Sequence, residues 1–239
     1  MTKYIKHNPI EQAESILNHQ KNLVGNLMFV EKPEEKEIVK TETQIIEEWE
    51  STSTLQELNS QICECQKCRL GATRNKFVFG SGNPKAEVMF IGEAPGADED
   101  EQGLPFIGRA GQLLTKIIES INFTREEVFI CNILKCRPPK NRDPLPDEMQ
   151  TCEPYLQKQI DIIKPKLIMC LGRISAQSLL RSNETLTTLR EKTHIYNGIN
   201  LMVTYHPAAL LRNPHWKRPT WEDLKKFRAL YDKMKSESR

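Results

Sequence analysis

At 239 residues, with 34 Lys+Arg against 32 Asp+Glu and 38% hydrophobic residues, the chain has material for one α/β domain with a proper core plus an appendage. No apolar run approaches the ~18–20 residues of a membrane span, and the opening Met-Thr-Lys-Tyr-Ile-Lys-His lacks the apolar core of a secretory signal, so no membrane association is expected. Seven cysteines, an odd number, exclude full internal disulfide pairing and favour a cytoplasmic chain with reduced thiols or a metal site.

The net charge of +2 hides a division. Residues 1–52 carry six Lys/Arg and ten Asp/Glu, a net of −4, so the remainder carries +6. An acidic leader precedes a mildly basic domain, and the basic excess is compatible with phosphate contacts without establishing them. Residues 1–54 read as an acidic, partly flexible extension. Within it, residues 10–28 can form an amphipathic helix with Ile10, Ala13, Ile16, Leu17 and Leu23 near one face, and Glu31–Thr54 reads as linker. A tether is the simpler role; an arm that binds a protein partner is the alternative.

From Leu55 to Arg239 the texture is that of a folded domain. Ser53 or Thr54 can cap a short helix leading into Cys63-Glu64-Cys65-Gln66-Lys67-Cys68. Four apolar segments of strand length follow, Ala86–Gly92, Val128–Ile133, Leu167–Gly172 and Leu201–Tyr205. Helical patterns separate them at Gly108–Ile121, Asp147–Ile163 and Arg173–Leu180, and a last one spans Thr220–Met234. Near-continuous apolar strands alternating with helices predict a three-layer α/β/α sandwich around a central, mainly parallel four-stranded sheet. Gly92-Glu93, Asn132 and His206 then fall at or just past strand carboxyl ends, the edge where open α/β sheets bind ligands.

Cys65 and Cys68 form a CxxC pair, with Cys136 after 67 intervening residues and Cys152 after 15 more. Two thiolates from one loop and two from elsewhere can enclose a metal or cluster, and spacing leaves zinc and [4Fe–4S] both open. Cys131 and Cys170 sit inside apolar strands and read as small core hydrophobes. Cys63 is an alternative to Cys65 as ligand.

Seven blocks in order carry a family resemblance: Cys65–Leu70, Gly80–Asp100, Pro105–Leu114, Asn132–Pro144, Cys152–Leu156, Leu171-Gly172-Arg173 and Thr204–Pro214. Together they resemble the family 4, iron–sulfur uracil-DNA glycosylases of the uracil-DNA glycosylase superfamily. The resemblance implies a monomeric base-excision-repair hydrolase that acts on uracil-containing DNA near the nucleoid and leaves an abasic site. It also implies a [4Fe–4S] cluster on Cys65, Cys68, Cys136 and Cys152 that staples loops near the DNA.

By the same resemblance Phe106 stacks on an everted uracil and Asn132 reads it, its oxygen accepting from N3–H while its NH₂ donates to O4. His206, neutral, donates to uracil O2 as the base leaves. Glu93 orients the attacking water, and backbone groups near Ala94 can hold uracil O2. Leu210 is expected as the inserting wedge. Arg109, Arg142 and Arg212, with Lys140 and Arg173, are candidate phosphate contacts.

The best-known branch of the superfamily has an aspartate where this chain has Ala94, and a thymine-excluding tyrosine where it has Gly96. Family 4 matches the chain at both positions, which leaves the residue that blocks thymine open. Glu99 is a second-rank catalytic candidate, either there or as a helper to Glu93. Two rivals stand beside this reading. A relative that traps the abasic product through a histidine is disfavoured, because Lys135–Pro144 contains none. A non-catalytic four-cysteine nucleic-acid-binding or polymerase-accessory protein is disfavoured by the joint presence of Glu93, Phe106, Asn132 and His206.

Overall fold

The computed structural model describes residues 47–237. The expected amphipathic helix at residues 10–28 and most of the expected linker lie outside these residues. The described chain opens with a 3₁₀ turn at Glu48–Ser51, where Trp49 packs edge-on against Tyr155 with centroids 4.9 Å apart. Thr54 then caps helix α1 (Leu55–Ile62) through a capping box, in which Thr54 Oγ1 accepts from the Glu57 N–H and the Glu57 carboxylate accepts from the Thr54 N–H.

Six strands form one sheet: β1 (Ser81–Gly82), β2 (Val88–Gly92), β3 (Phe129–Asn132), β4 (Leu167–Leu171), β5 (His194–Tyr196) and β6 (Ile199–Thr204). Their spatial order is β1-β3-β2-β4-β6-β5. β3, β2, β4 and β6 run parallel, as the apolar segments predict. The two short outer strands pair antiparallel with β3 and β6. Neither has an apolar run to announce it, since an edge strand needs only a neighbour to pair with.

The helices α2 (Ala97–Gln102), α3 (Arg109–Ser120), α4 (Pro146–Ile163), α5 (Arg173–Leu180), α6 (Leu186–Arg190), α7 (Pro207–Arg212) and α8 (Lys217–Glu237) complete the domain. Alternate strand residues face opposite cores, as the two-residue period of a strand demands. Met89, Ile91, Ile168 and Cys170 pack with Leu58 of α1, Leu156 of α4 and Leu179 of α5. Val88, Phe90, Leu167 and Met169 pack with Leu114 and Ile118 of α3 and Phe227 of α8. That is the expected three-layer sandwich. Burial on both faces is why β2 and β4 read as unbroken apolar runs.

The sheet order reverses at β2, which has β3 on one side and β4 on the other. The crevice above such a point is where parallel sheets bind ligands. One close approach fixes its wall: a Cβ on Gly111 of α3 would overlap the carbonyl group of Phe106. Gly111→Ala therefore pits a helix-propensity gain of up to about 1 kcal/mol against backbone that cannot yield. The clash is expected to win, with a net loss of about 1–3 kcal/mol in urea unfolding.

Candidate active site

The cleft above β2 and β3 has a volume of about 330 Å³, and Glu93, Ala94, Glu99, Phe106, Asn132 and His206 all line it. Three strand tips thus meet, as the sequence predicts. Asn132, the last residue of β3, lies opposite Gly92 in register and is 1% exposed. A side chain on Gly92 would collide with Asn132 Oδ1 and come within 2.5 Å of Phe106 Cζ. The missing side chain lets ring and amide meet over the strand end. Asn132 Oδ1 is buried and has no hydrogen-bond partner among the described residues.

Phe106 is held in a backbone conformation that a bulky residue rarely adopts, φ 51°. Such a residue costs on the order of 1–3 kcal/mol and persists only where its surroundings over-determine it. Two charged side chains do so. Arg125 donates to the Phe106 carbonyl at 3.1 Å, the Pro105 carbonyl at 2.9 Å and Thr115 Oγ1 at 3.1 Å. Glu99 Oε1 accepts from the N–H groups of Ile107 and Gly108 at 2.9 and 3.0 Å, and its Oε2 from Gly96 N–H at 3.1 Å. Hydrogen bonds to charged groups contribute about 1.5–3 kcal/mol each, enough to offset the strain. The carboxylate of Glu99 borders the cleft with both oxygens engaged by backbone. Arg125 had no signal in the sequence, because nothing in residues 124–127 marks one arginine from another.

His206 caps α7, its Nδ1 accepting the Ala208 N–H at 3.2 Å. That bond leaves the proton on Nε2. Burial, then the nearby Arg212 charge, pushes the His206 pKa down to about 4, against a weaker pull from Glu99. His206 is half-buried and lines the cleft. Its ring faces Phe106 with centroids 5.6 Å apart and planes at 35°. Glu93 moves the other way. Burial and the Asp143 carboxylate raise its pKa to about 6, with Arg173 and Arg212 opposing. Asn141 and Asp143, both lining the cleft, were not singled out from the sequence, since the loop of residues 138–144 has no periodicity to aim its side chains.

The expected DNA contacts divide. Arg109 and Arg212 are exposed and form no ion pair among the described residues. Arg142 is committed to a two-pronged pair with buried Glu148, at 2.8 and 2.6 Å. Arg173 pairs with Asp143 at 3.2 Å. Leu210, expected as the wedge, is 2% exposed and faces an apolar groove shared with Leu113 and Leu224, whereas Leu211 is 41% exposed. One residue along a helix turns the side chain by about 100°, which takes one leucine inward and the next outward.

The four cysteines bring their thiols into one neighbourhood, with Cys65, Cys68 and Cys152 each close enough to bear electrostatically on a common partner or on Cys136. Donors converge on the sulfurs: Tyr155 Oη to Cys65 Sγ at 3.2 Å, Arg74 Nη1 to Cys136 Sγ at 3.4 Å and Lys135 N–H to Cys152 Sγ at 3.4 Å. Burial pushes the Cys136 and Cys152 thiols up to about 11 and about 12, against the opposing pull of Arg74 on the first and Lys135 on the second. Among the described residues no three His, Cys, Asp or Glu side chains converge closely enough to hold a single ion. The Cys63 thiol instead donates to the Ser60 carbonyl at 3.6 Å, and Cys131 and Cys170 are buried in their strands. Lys135, fully buried, ties this region to the cleft: its Nζ donates to the Asn132 carbonyl at 2.9 Å and to Gln159 Oε1 at 2.6 Å.

A sheet with this switch point and a cleft built this way define a class. Residues 79–225 match the sequence model of the Uracil DNA glycosylase superfamily. The type-4 uracil-DNA glycosylase of Sulfurisphaera tokodaii is 45% identical over 186 residues, 74% of this chain and 84% of its own. That of Archaeoglobus fulgidus is 44% identical over 188 residues, covering 75% and 94%. That of Saccharolobus solfataricus is 47% identical over 177 residues, covering 70% and 82%. The chain belongs to the type-4 uracil-DNA glycosylases of that superfamily.

Proposed function

We propose that this chain is a monofunctional DNA-repair enzyme that takes uracil out of the DNA stack and hydrolyses its N-glycosidic bond. The observation that carries this is the unpartnered Asn132 Oδ1 beside a histidine whose second nitrogen is already committed. Leaving a buried acceptor empty costs about 1–3 kcal/mol, and uracil N3–H would fill it. Cytosine offers no proton at that position, so the same amide rejects it. Phe106 supplies the stacking face, locked by Arg125 and Glu99 before any base arrives. Glu99 is accordingly a positioning residue in this reading, and Leu211, the outward leucine, takes the wedge in place of Leu210.

As the C1′–N1 bond lengthens, positive charge grows on the sugar and negative charge on the pyrimidine. His206, neutral across the physiological range, places Nε2–H against uracil O2 and stabilises the departing anion. Glu93 accepts the proton of the water that adds to C1′, and that proton goes on to the released uracil. Arg109 and Arg212 hold phosphates on either side, and Ala94 leaves room for the base. Cys65, Cys68, Cys136 and Cys152 would hold a [4Fe–4S] cluster, which supplies structural cross-linking between loops and no step of the hydrolysis. Donors aimed at three of the sulfurs support that assignment.

His206→Ala and Asn132→Ala are each expected to slow single-turnover uracil release by on the order of 10²–10³ while thermal unfolding stays cooperative. Release at the wild-type rate from both would overturn the placement of the pocket. The acid limb offers a second check. Glu93 is protonated below its raised pKa and cannot take a proton there, so kcat/KM should climb about tenfold per pH unit up to about 6 and then level. Glu93→Gln should lower the plateau and flatten the climb; a rate that falls as pH rises through 6 would make Glu93 an acid instead. Protein prepared without oxygen should be brown and contain iron, and Cys152→Ser should lose it. Stoichiometric zinc without iron would refute the cluster.

A further inference from the structure

An aromatic stack just outside the cleft takes no part in the chemistry above. His206 is preceded by Tyr205, whose ring stacks on Trp216 with centroids 4.8 Å apart and planes 11° apart. The Arg190 guanidinium lies 4.2 Å from the centre of the same Tyr205 ring. Arg190 is anchored in turn by Asp223, which accepts from it at 2.8 Å and from Thr204 Oγ1 at 2.7 Å, both side chains being largely buried. The stack therefore starts in the core, at the end of β6, and ends at an indole that is 37% exposed. It is rigid at the inner end and open at the outer one.

Three cations flank Trp216 in the chain. Arg212, Lys217 and Arg218 are all exposed, and none forms an ion pair among the described residues. Arg212 lies close enough to the cleft to act on both Glu93 and His206. A supported aromatic face with uncommitted cations close by in the chain is the arrangement that holds a single nucleic-acid strand: stacking accepts any base, and the cations follow the backbone.

We propose that Trp216 is a second base platform, which stacks a nucleobase neighbouring the everted uracil when that neighbour is unpaired. The proposal rests on the reading that DNA lies across the mouth of the cleft. Inside a duplex the neighbouring base already stacks on its own strand and gains little from the indole. The platform therefore favours single-stranded or locally opened sites over intact duplex. It is a substrate-binding subsite one aromatic ring removed from the catalytic histidine.

The test uses the full chain as wild type, Trp216→Ala and Trp216→Phe. On a single-stranded oligonucleotide with one central uracil, Trp216→Ala should raise KM about tenfold with kcat kept, and Trp216→Phe should stay within about twofold of wild type. On the same strand with base-less tetrahydrofuran units flanking the uracil, wild type and Trp216→Ala should have equal KM. An unchanged KM for Trp216→Ala on the ordinary strand overturns the platform. So does an equal loss on both strands, because Trp216 would then only brace Tyr205 and His206. Binding of a uracil-free single strand, read by fluorescence anisotropy, should weaken about tenfold in Trp216→Ala. That measurement judges the platform even if uracil release fails altogether.

Discussion

The structure turns on an absent side chain. Gly92 ends β2 with no atom beyond Cα, and the space so left is filled by the Phe106 ring and the Asn132 amide. A methyl group there would drive apart the ring and the amide that line the cleft. The rest of the cleft then follows from holding the neighbours still. β3 brings Asn132 into register, α3 approaches Phe106 closely enough to require Gly111, and the strained Phe106 backbone is clamped by Arg125 on its carbonyls and Glu99 on the following amides. In the proposed reading this strain is part of the site's preorganisation: the Phe106 ring is set at folding, so no ordering cost remains when substrate binds.

Burial acts on the two ionisable groups of the cleft in opposite senses, with one outcome. It disfavours charge on each, raising Glu93 and lowering His206. An uncharged imidazole is a hydrogen-bond donor that does not surrender its proton prematurely, and a carboxylate with a raised pKa is a stronger base than one in water. Arg212 modulates both from the rim. In the proposed mechanism a single desolvated pocket thus prepares a donor for the leaving group and an acceptor for the nucleophile, the pairing of roles that separated pKa values permit.

Lys135 links the cleft to the cysteines. Its Nζ donates to the Asn132 carbonyl while its own N–H reaches Cys152 Sγ, so the residue proposed to read the base and a cysteine proposed as a cluster ligand share one buried anchor. A loop-stapling cluster at this place would stiffen the base of the recognition strand. That role needs rigidity alone and no electron transfer.

The sequence by itself determined the elements and the chemistry at their ends. Apolar runs of strand length located β2, β3, β4 and β6, helical periodicity located α3, α4, α5 and α8, and Glu93, Asn132 and His206 followed at strand tips because side-chain period and strand length are local properties. The CxxC pair and the core cysteines were legible for the same reason. Tertiary structure alone decided which of two adjacent leucines faces out, since that depends on where α7 meets α3. It also decided that Arg142 is spent on Glu148 and Glu99 on three backbone amides, both choices made by partners distant in sequence or set by a loop's path. Arg125, Lys135 and the Arg190–Tyr205–Trp216 stack belong there too: nothing local marks what each will touch until the fold brings its partners to it.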